Sequence, residues 1–417
     1  MSEAGYEVVG IDDDPLVVSE LRNGKPSISE PGLTELICKS TVAGKLQFTT
    51  NYRDALEGSL VLWVAFDTPV NDSDEADCDF VHSRVIELMP FITKGTLIII
   101  SSQLPVGSVA RLEDYALKFW PQKELIFACI PENLRLGQAL KVFKEPDRLI
   151  AGVRSNKTKN IIQALMSPFD MRIEWMSIES AEMTKHSINA FLAASITFAN
   201  EIALICEKVG ADAIEVARGL KTESRIGPAA YLSPGAPYGG GTLARDIKFL
   251  SDIGLEKKIS IPVLSSVQRS NDEHKKWIQN KIRELFPELK KLKVALWGLT
   301  YKPGTDTLRR SLSVELCEWL TSSGVEVRVF DPVINNLPQD LIDMHVVNCQ
   351  DALDAVKSSN VLVIGTNWPQ FIQDASFLKA TQTRDLIVID ATGFLREVLI
   401  DAGIKYISVG HLQLRKQ

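Results

Sequence analysis

Three groups of residues in this 417-residue chain have types and spacings that could do chemistry. The first is Lys185 and Asn189, four apart in a stretch with no Gly or Pro from Glu179 to Val209. On a helix, positions i and i+4 share a face, so the ammonium and the amide would point the same way. Taken alone, such a pair is far more often just a solvated polar face. The second is Gly239-Gly240-Gly241 followed by Asp246. Consecutive glycines let backbone amides approach a substrate closely. The plainer reading is a flexible loop, with Asp246 an ordinary aspartate near a helix start. The third is Val8-Val-Gly-Ile-Asp12, a strand ending in a carboxylate. In a dinucleotide-binding fold such an acid hydrogen-bonds the adenine ribose hydroxyls, about 20 residues beyond a glycine-rich turn, and it repels a 2′-phosphate. Its alternative is a strand running into the acidic turn Asp12-Asp13-Asp14-Pro15.

Other chemistries have little support. The cysteines at 38, 78, 129, 206, 317 and 349 show no metal-binding or redox spacing, and the five histidines are scattered, so no metal site is expected. Lys and Arg number 46 against 53 Asp and Glu, a net charge of −7 with no basic block, which argues against nucleic acid as a partner. No uninterrupted apolar run reaches the roughly 18 residues that span a bilayer. Met1-Ser-Glu-Ala-Gly5 lacks the basic start and apolar core of a signal peptide. A cytoplasmic protein without a membrane partner is expected.

The elements that must position these groups follow from periodicity. Near-continuous apolar strands (around Glu7–Ile11, Leu60–Ala65, Leu97–Ser101 and Glu124–Cys129) alternate with amphipathic stretches, which predicts a parallel sheet covered on both faces. Ile188, Phe191, Leu192, Ile196, Ala199, Ile202 and Ala203 recur at three- and four-residue spacing, which predicts one long helix ending near Gly210. More helical pattern follows, and strand–helix alternation restarts at Lys293. The expected fold is α/β: two doubly wound Rossmann-like domains joined by a helical connector, with boundaries at 1–177, 178–280 and 281–417. No GxGxxG precedes Asp12. The first strand and phosphate turn are expected upstream of Met1, the alternative being a chain that has lost the cradle.

Motifs occur along the chain in a specific order. Glu30-Pro-Gly-Leu, Asp67-Thr-Pro, Pro105-Val-Gly, Pro131-Glu-Asn-Leu-Arg and Pro146-Asp-Arg-Leu-Ile-Ala-Gly lie in the first domain. Lys185 with Asn189, Asn200-Glu201, Gly210-Ala-Asp and Arg225-Ile-Gly follow. Gly239-Gly240 with Asp246, Tyr301-Lys-Pro-Gly-Thr-Asp306 with Arg309 and Ser311, Asp331-Pro, and Thr366-Asn-Trp-Pro-Gln-Phe complete the set. Together they resemble the UDP-glucose/GDP-mannose dehydrogenase family. That resemblance implies oxidation of the C6 alcohol of a nucleotide sugar to a carboxylate with two NAD, through an aldehyde, a thiohemiacetal and a thioester on a cysteine. It further implies a homodimer built on the connector, and a UDP- or GDP-hexose as partner.

The resemblance assigns roles by position. Asp12, Thr68 and Glu132 would contact NAD. Lys185 and Asn189 would hold the sugar and stabilise the oxyanion, and Asp246 would work with the lysine to deprotonate water or the reacting hydroxyl. Arg225, Tyr231, Tyr238, Gly239, Gly240, Lys302 and Arg309 would contact the nucleotide sugar. Three positions depart from the pattern. Thr242 stands at the family's cysteine, Leu136 at the glutamate that assists thioester hydrolysis, and Gln103 at a threonine. A further basic element reads Asp390-Ala-Thr-Gly and lacks its arginine. An aliphatic alcohol ionises far less readily than a thiol, so Thr242 is a poor capturing nucleophile. The expected activity is an NAD-dependent oxidoreductase that does not complete the oxidation to uronate. The alternative is a non-catalytic relative that binds sugar nucleotide, or a partner of an active homologue. A small-hydroxyacid dehydrogenase explains the first domain but not the second.

Overall fold

The computed structural model describes residues 1–28, 30–71, 76–135, 137–239, 241–380, 386–400 and 403–411. Leu136 and Gly240, both singled out above, lie outside the described residues. The chain divides into two compact units, 1–187 and 188–417. The division falls within one 32-residue helix, Ile178–Val209.

In the first unit, β1 (Val8–Ile11) and β2 (Leu46–Thr49) pair in parallel as a two-stranded sheet. A five-stranded sheet holds β3 (Val61–Val64), β4 (Leu97–Ile100), β5 (Ile126–Cys129), β6 (Leu149–Val153) and β7 (Ile173–Met176) in that order. All four residues of β4 are buried, as expected of a strand covered on both faces. The all-parallel expectation needs one correction: β5 and β6 run antiparallel. A parallel neighbour needs a crossover connection across a sheet face, usually a full helix. Among the described residues, the link from β5 to β6 carries only the short helix Ala139–Lys144.

In the second unit, the rest of the long helix is joined by helices Ala213–Thr222, Thr242–Lys257, Pro262–Lys275 and Trp277–Leu285. A six-stranded parallel sheet follows, with β8 (Lys293–Trp297), β9 (Glu326–Phe330), β10 (Val347–Asn348), β11 (Val361–Ile364), β12 (Ile387–Ile389) and β13 (Lys405–Ile407). Their order is β10-β9-β8-β11-β12-β13. The order reverses between β8 and β11, and in such sheets ligands bind beyond the strand ends at that point. Ala203, Cys206 and Trp277 from the helices share one buried cluster with Val294, Leu296 and Leu316. The helical connector and this sheet therefore have a common core.

Ile178–Val209 is long and apolar enough to cross a membrane by length and composition, with a mean hydropathy of 1.6 and 44% of that window buried. It holds no long uninterrupted apolar run, because its apolar residues alternate with Ser, Thr and Asn. Its Glu182, Lys185 and Asn200 are buried and bonded to protein groups, as in the core helix of an α/β protein.

Candidate active site

In the first unit, the groups of interest gather where β3, β4 and β5 end. The Thr68 hydroxyl, 2% exposed, donates to the Gln103 carbonyl at 2.6 Å and so joins the loop after β3 to the loop after β4. Lys185 donates its Nζ to the Glu132 carbonyl at 2.6 Å and lies 3.4 Å from Asn133 Oδ1, reaching the loop after β5. The Glu132 carboxylate, 3.8 Å from the same ammonium, accepts the Leu134 amide. Glu182, one helical turn before Lys185, was missed in the sequence. The i, i+3 spacing of Glu182 and Lys185 was the available signal.

Cys129 lines a small pocket with Lys185, Glu182 and Gln103. It is a poor candidate for a capturing nucleophile. Burial, with the Glu182 carboxylate nearby, pushes its thiol up and keeps it protonated.

In the second unit, Asn189 Nδ2 donates to Asp246 Oδ2 at 2.5 Å, and Asp246 is fully buried. Thr242 is the exposed first residue of helix Thr242–Lys257. Gly241, just before it, has φ +96°, a conformation that side-chain-bearing residues rarely adopt. A Cβ at Gly241 would lie 3.1 Å from Arg310 Nη1. The arginine beside Gly241 is Arg310, itself left-handed at φ +61°.

Two of the substrate candidates have close neighbours within the protein. A Cβ at Gly239 would sit 2.7 Å from the Tyr301 ring, so Gly239 is required first by that ring. Tyr238 is buried in a helical cluster with Ile247 and Val267, and its hydroxyl bonds Gln268 at 3.1 Å. A side chain so enclosed supports the loop. The loop itself is clamped. Asn271 accepts the Tyr238 amide and donates to the Tyr238 carbonyl. Asn200 accepts the Gly235 amide, and His274 Nε2 bonds the Gly235 carbonyl at 2.8 Å.

Burial holds His274 below its ordinary value of 6.5, and its Nδ1 has no partner among the described residues. The unfolded chain therefore takes up a proton near pH 6.5 that the folded chain resists, so stability falls as pH drops through that range. We expect the urea midpoint to fall from about pH 7.5 to about pH 5.5, and His274→Gln to flatten the slope.

The remaining sugar-nucleotide candidates are at or near the surface. Arg225 is exposed and pairs with Glu223 at 2.9 Å. Tyr231 and Arg309 are exposed and Lys302 is half-buried. Asp390 is internal: it accepts the Tyr406 hydroxyl at 2.6 Å and the Leu395 amide. Burial, then this carboxylate, raises the Tyr406 phenol.

Asp12 stands exposed at the end of β1, with Oδ1 accepting the Asp14 amide at 2.9 Å. A carboxylate so placed retains lone pairs for ribose hydroxyls, so this end of the site fits an adenine nucleotide. An exposed carboxylate at the end of a first-unit strand, and a reversal of strand order between β8 and β11 in the second unit, are both features of nucleotide-binding α/β domains.

Three matches make the assignment specific. Residues 1–170 match the NAD binding domain of the UDP-glucose/GDP-mannose dehydrogenase family, 179–273 its central domain and 295–397 its UDP binding domain. The chain belongs to that family, and its cofactor is NAD. It is 31% identical over 413 residues to UDP-glucose 6-dehydrogenase YwqF of Bacillus subtilis, covering 98% of this chain and 93% of that protein. It is 32% identical over 419 residues to a UDP-glucose 6-dehydrogenase of Rickettsia bellii, covering 98% and 95%. The fold matches a UDP-glucose dehydrogenase from the archaeon Pyrobaculum islandicum with a TM-score of 0.84 at 26% identity, covering 99% and 94%.

Proposed function

We propose that this protein oxidises the C6 alcohol of a UDP-hexose and stops at the aldehyde. Bound NAD supplies the hydride acceptor. Asp246, its carboxylate fixed by Asn189, takes the hydroxyl proton, and Lys185 supplies the positive charge that favours the alkoxide. UDP-glucose is the first substrate to test, because the relatives named above act on it. The observation that carries the stalled reaction is Thr242, exposed at the first position of its helix where a capturing thiol is needed.

The test is NADH yield with product mass on UDP-glucose. One NADH per sugar with aldehyde or its hydrate is expected. Stoichiometric uronate with two NADH would refute the proposal. The second reading, a sugar-nucleotide binder without turnover, rests on the same threonine and is ended by saturable NADH formation.

We further propose a homodimer, with 1–177 handling cofactor, 178–280 the subunit contact and 281–417 the nucleotide. Phe191, Phe198 and Ile205, seven apart on the long helix, are 71%, 48% and 56% exposed. Residues at that spacing form one apolar stripe, which a second copy could cover. Phe198→Glu is expected to give monomer by light scattering at micromolar concentration, with secondary structure retained. The free thiols suit a reducing, cytoplasmic setting.

A further inference from the structure

Glu182 is 5% exposed, yet among the described residues no lysine or arginine side chain is bonded to it. Its Oε2 accepts the Gly107 amide at 2.7 Å and its Oε1 the Val109 amide at 3.0 Å. These amides open the 12-residue helix Ser108–Phe119, whose N-cap is Gly107 and offers no side chain. The carboxylate thus caps that helix from a distant element, with its charge at the positive end of the helix dipole. A local Ser or Asp would cap it without burying a glutamate. What the distant glutamate adds is a fixed distance between two elements.

The same turn makes two further ties. His186 Nε2 bonds the Leu104 carbonyl at 2.9 Å. Lys185 Nζ bonds the Glu132 carbonyl at 2.6 Å. Three side chains within five residues therefore grip two loops, 104–109 after β4 and 132–133 after β5. Both loops leave strand ends on the cofactor side, and Gln103, at the edge of the first, is already tied to Thr68.

We propose that the helical turn Glu182–His186 is a hub that sets the spacing of these two loops, with Glu182 as its positioning residue for the NAD side of the site. This rests on the reading of those strand ends as the cofactor site. The hub makes the two loops mechanically dependent: releasing one loosens the other through the helix turn they share.

The test is Glu182→Gln in the full chain. A glutamine accepts one amide and turns its own NH2 against the other, so the grip on 107–109 is halved. Amide hydrogen exchange is expected to speed by about tenfold in 104–110 and also in 131–134, with β8–β13 unchanged. NAD affinity is expected to weaken by about fivefold or more, with UDP binding unchanged. Faster exchange confined to 107–110, with 131–134 and NAD affinity unaltered, would reduce Glu182 to a local cap and overturn the hub. If the wild-type chain binds no NAD, the functional reading fails, and the exchange pattern at 131–134 still decides the hub. Glu182→Asp, which keeps the charge but is one methylene shorter, gives the same readout if the glutamine variant does not fold.

Discussion

Replacing Thr242 with cysteine is expected to turn a reaction that releases aldehyde into one that traps it on the protein. The position is the first residue of a 16-residue helix, and its N-cap, Gly241, supplies no capping side chain. A thiol there faces the positive end of the helix dipole and is held partly as thiolate. Attack on the aldehyde forms a C–S bond, and the carbonyl oxygen takes a proton, giving a thiohemiacetal. Loss of a hydride to a second NAD and of the hydroxyl proton gives a thioester. Release needs water and a base, and position 136 holds leucine. The variant should therefore show a burst of NADH, then stall, with one UDP-linked uronyl group added to its intact mass. Adding Leu136→Glu should restore turnover by about 10²- to 10⁴-fold, the usual worth of a general base. A Thr242→Cys protein with no adduct and unchanged NADH per sugar would show that more than the thiol has been lost.

Strong local patterns made much of the architecture legible in the sequence. Leu97-Ile-Ile-Ile100 has no polar break, and a fully buried strand needs none. The stretch from Glu179 to Val209 lacks Gly and Pro and keeps a helical period throughout, so its observed span, Ile178–Val209, agrees closely. What escaped notice was short or set by distant contacts. β2, Leu46-Gln-Phe-Thr49, is a mixed four-residue run that becomes a strand only by pairing with β1. β7 is partly exposed and has a charged residue at its centre, Glu174.

The site divides along the same line. Lys185, Asn189 and Asp246 could be named because ordered motifs mark them. Their partners could not. That Lys185 rests on the Glu132 carbonyl, or that Tyr238 turns inward to Gln268, depends on backbone paths that no local spacing encodes. Glu182 looks like one more helix acid until the amides of Gly107 and Val109 are placed against it.

Asp246→Asn should separate the chemistry of this site from its architecture. Asp246 is fully buried and accepts from Asn189 Nδ2. An asparagine has nearly the same shape, and Asn189 can turn its amide over to present oxygen to the new NH2 group. The hydrogen bond then survives, and the fold should hold to within about 1 kcal/mol. The carboxylate that takes the hydroxyl proton does not survive, and the rate of NADH formation should fall by about 10²- to 10⁴-fold with little change in UDP-glucose affinity. Asp246→Ala behaves differently because it leaves the buried Asn189 amide without this acceptor, a penalty of about 1–3 kcal/mol before any cavity is counted. A urea midpoint close to wild type for the asparagine variant and clearly lower for the alanine variant, with both equally slow, assigns Asp246 to the proton transfer. Asparagine and wild type turning over alike would remove Asp246 from the chemistry and leave it as a packing partner of Asn189.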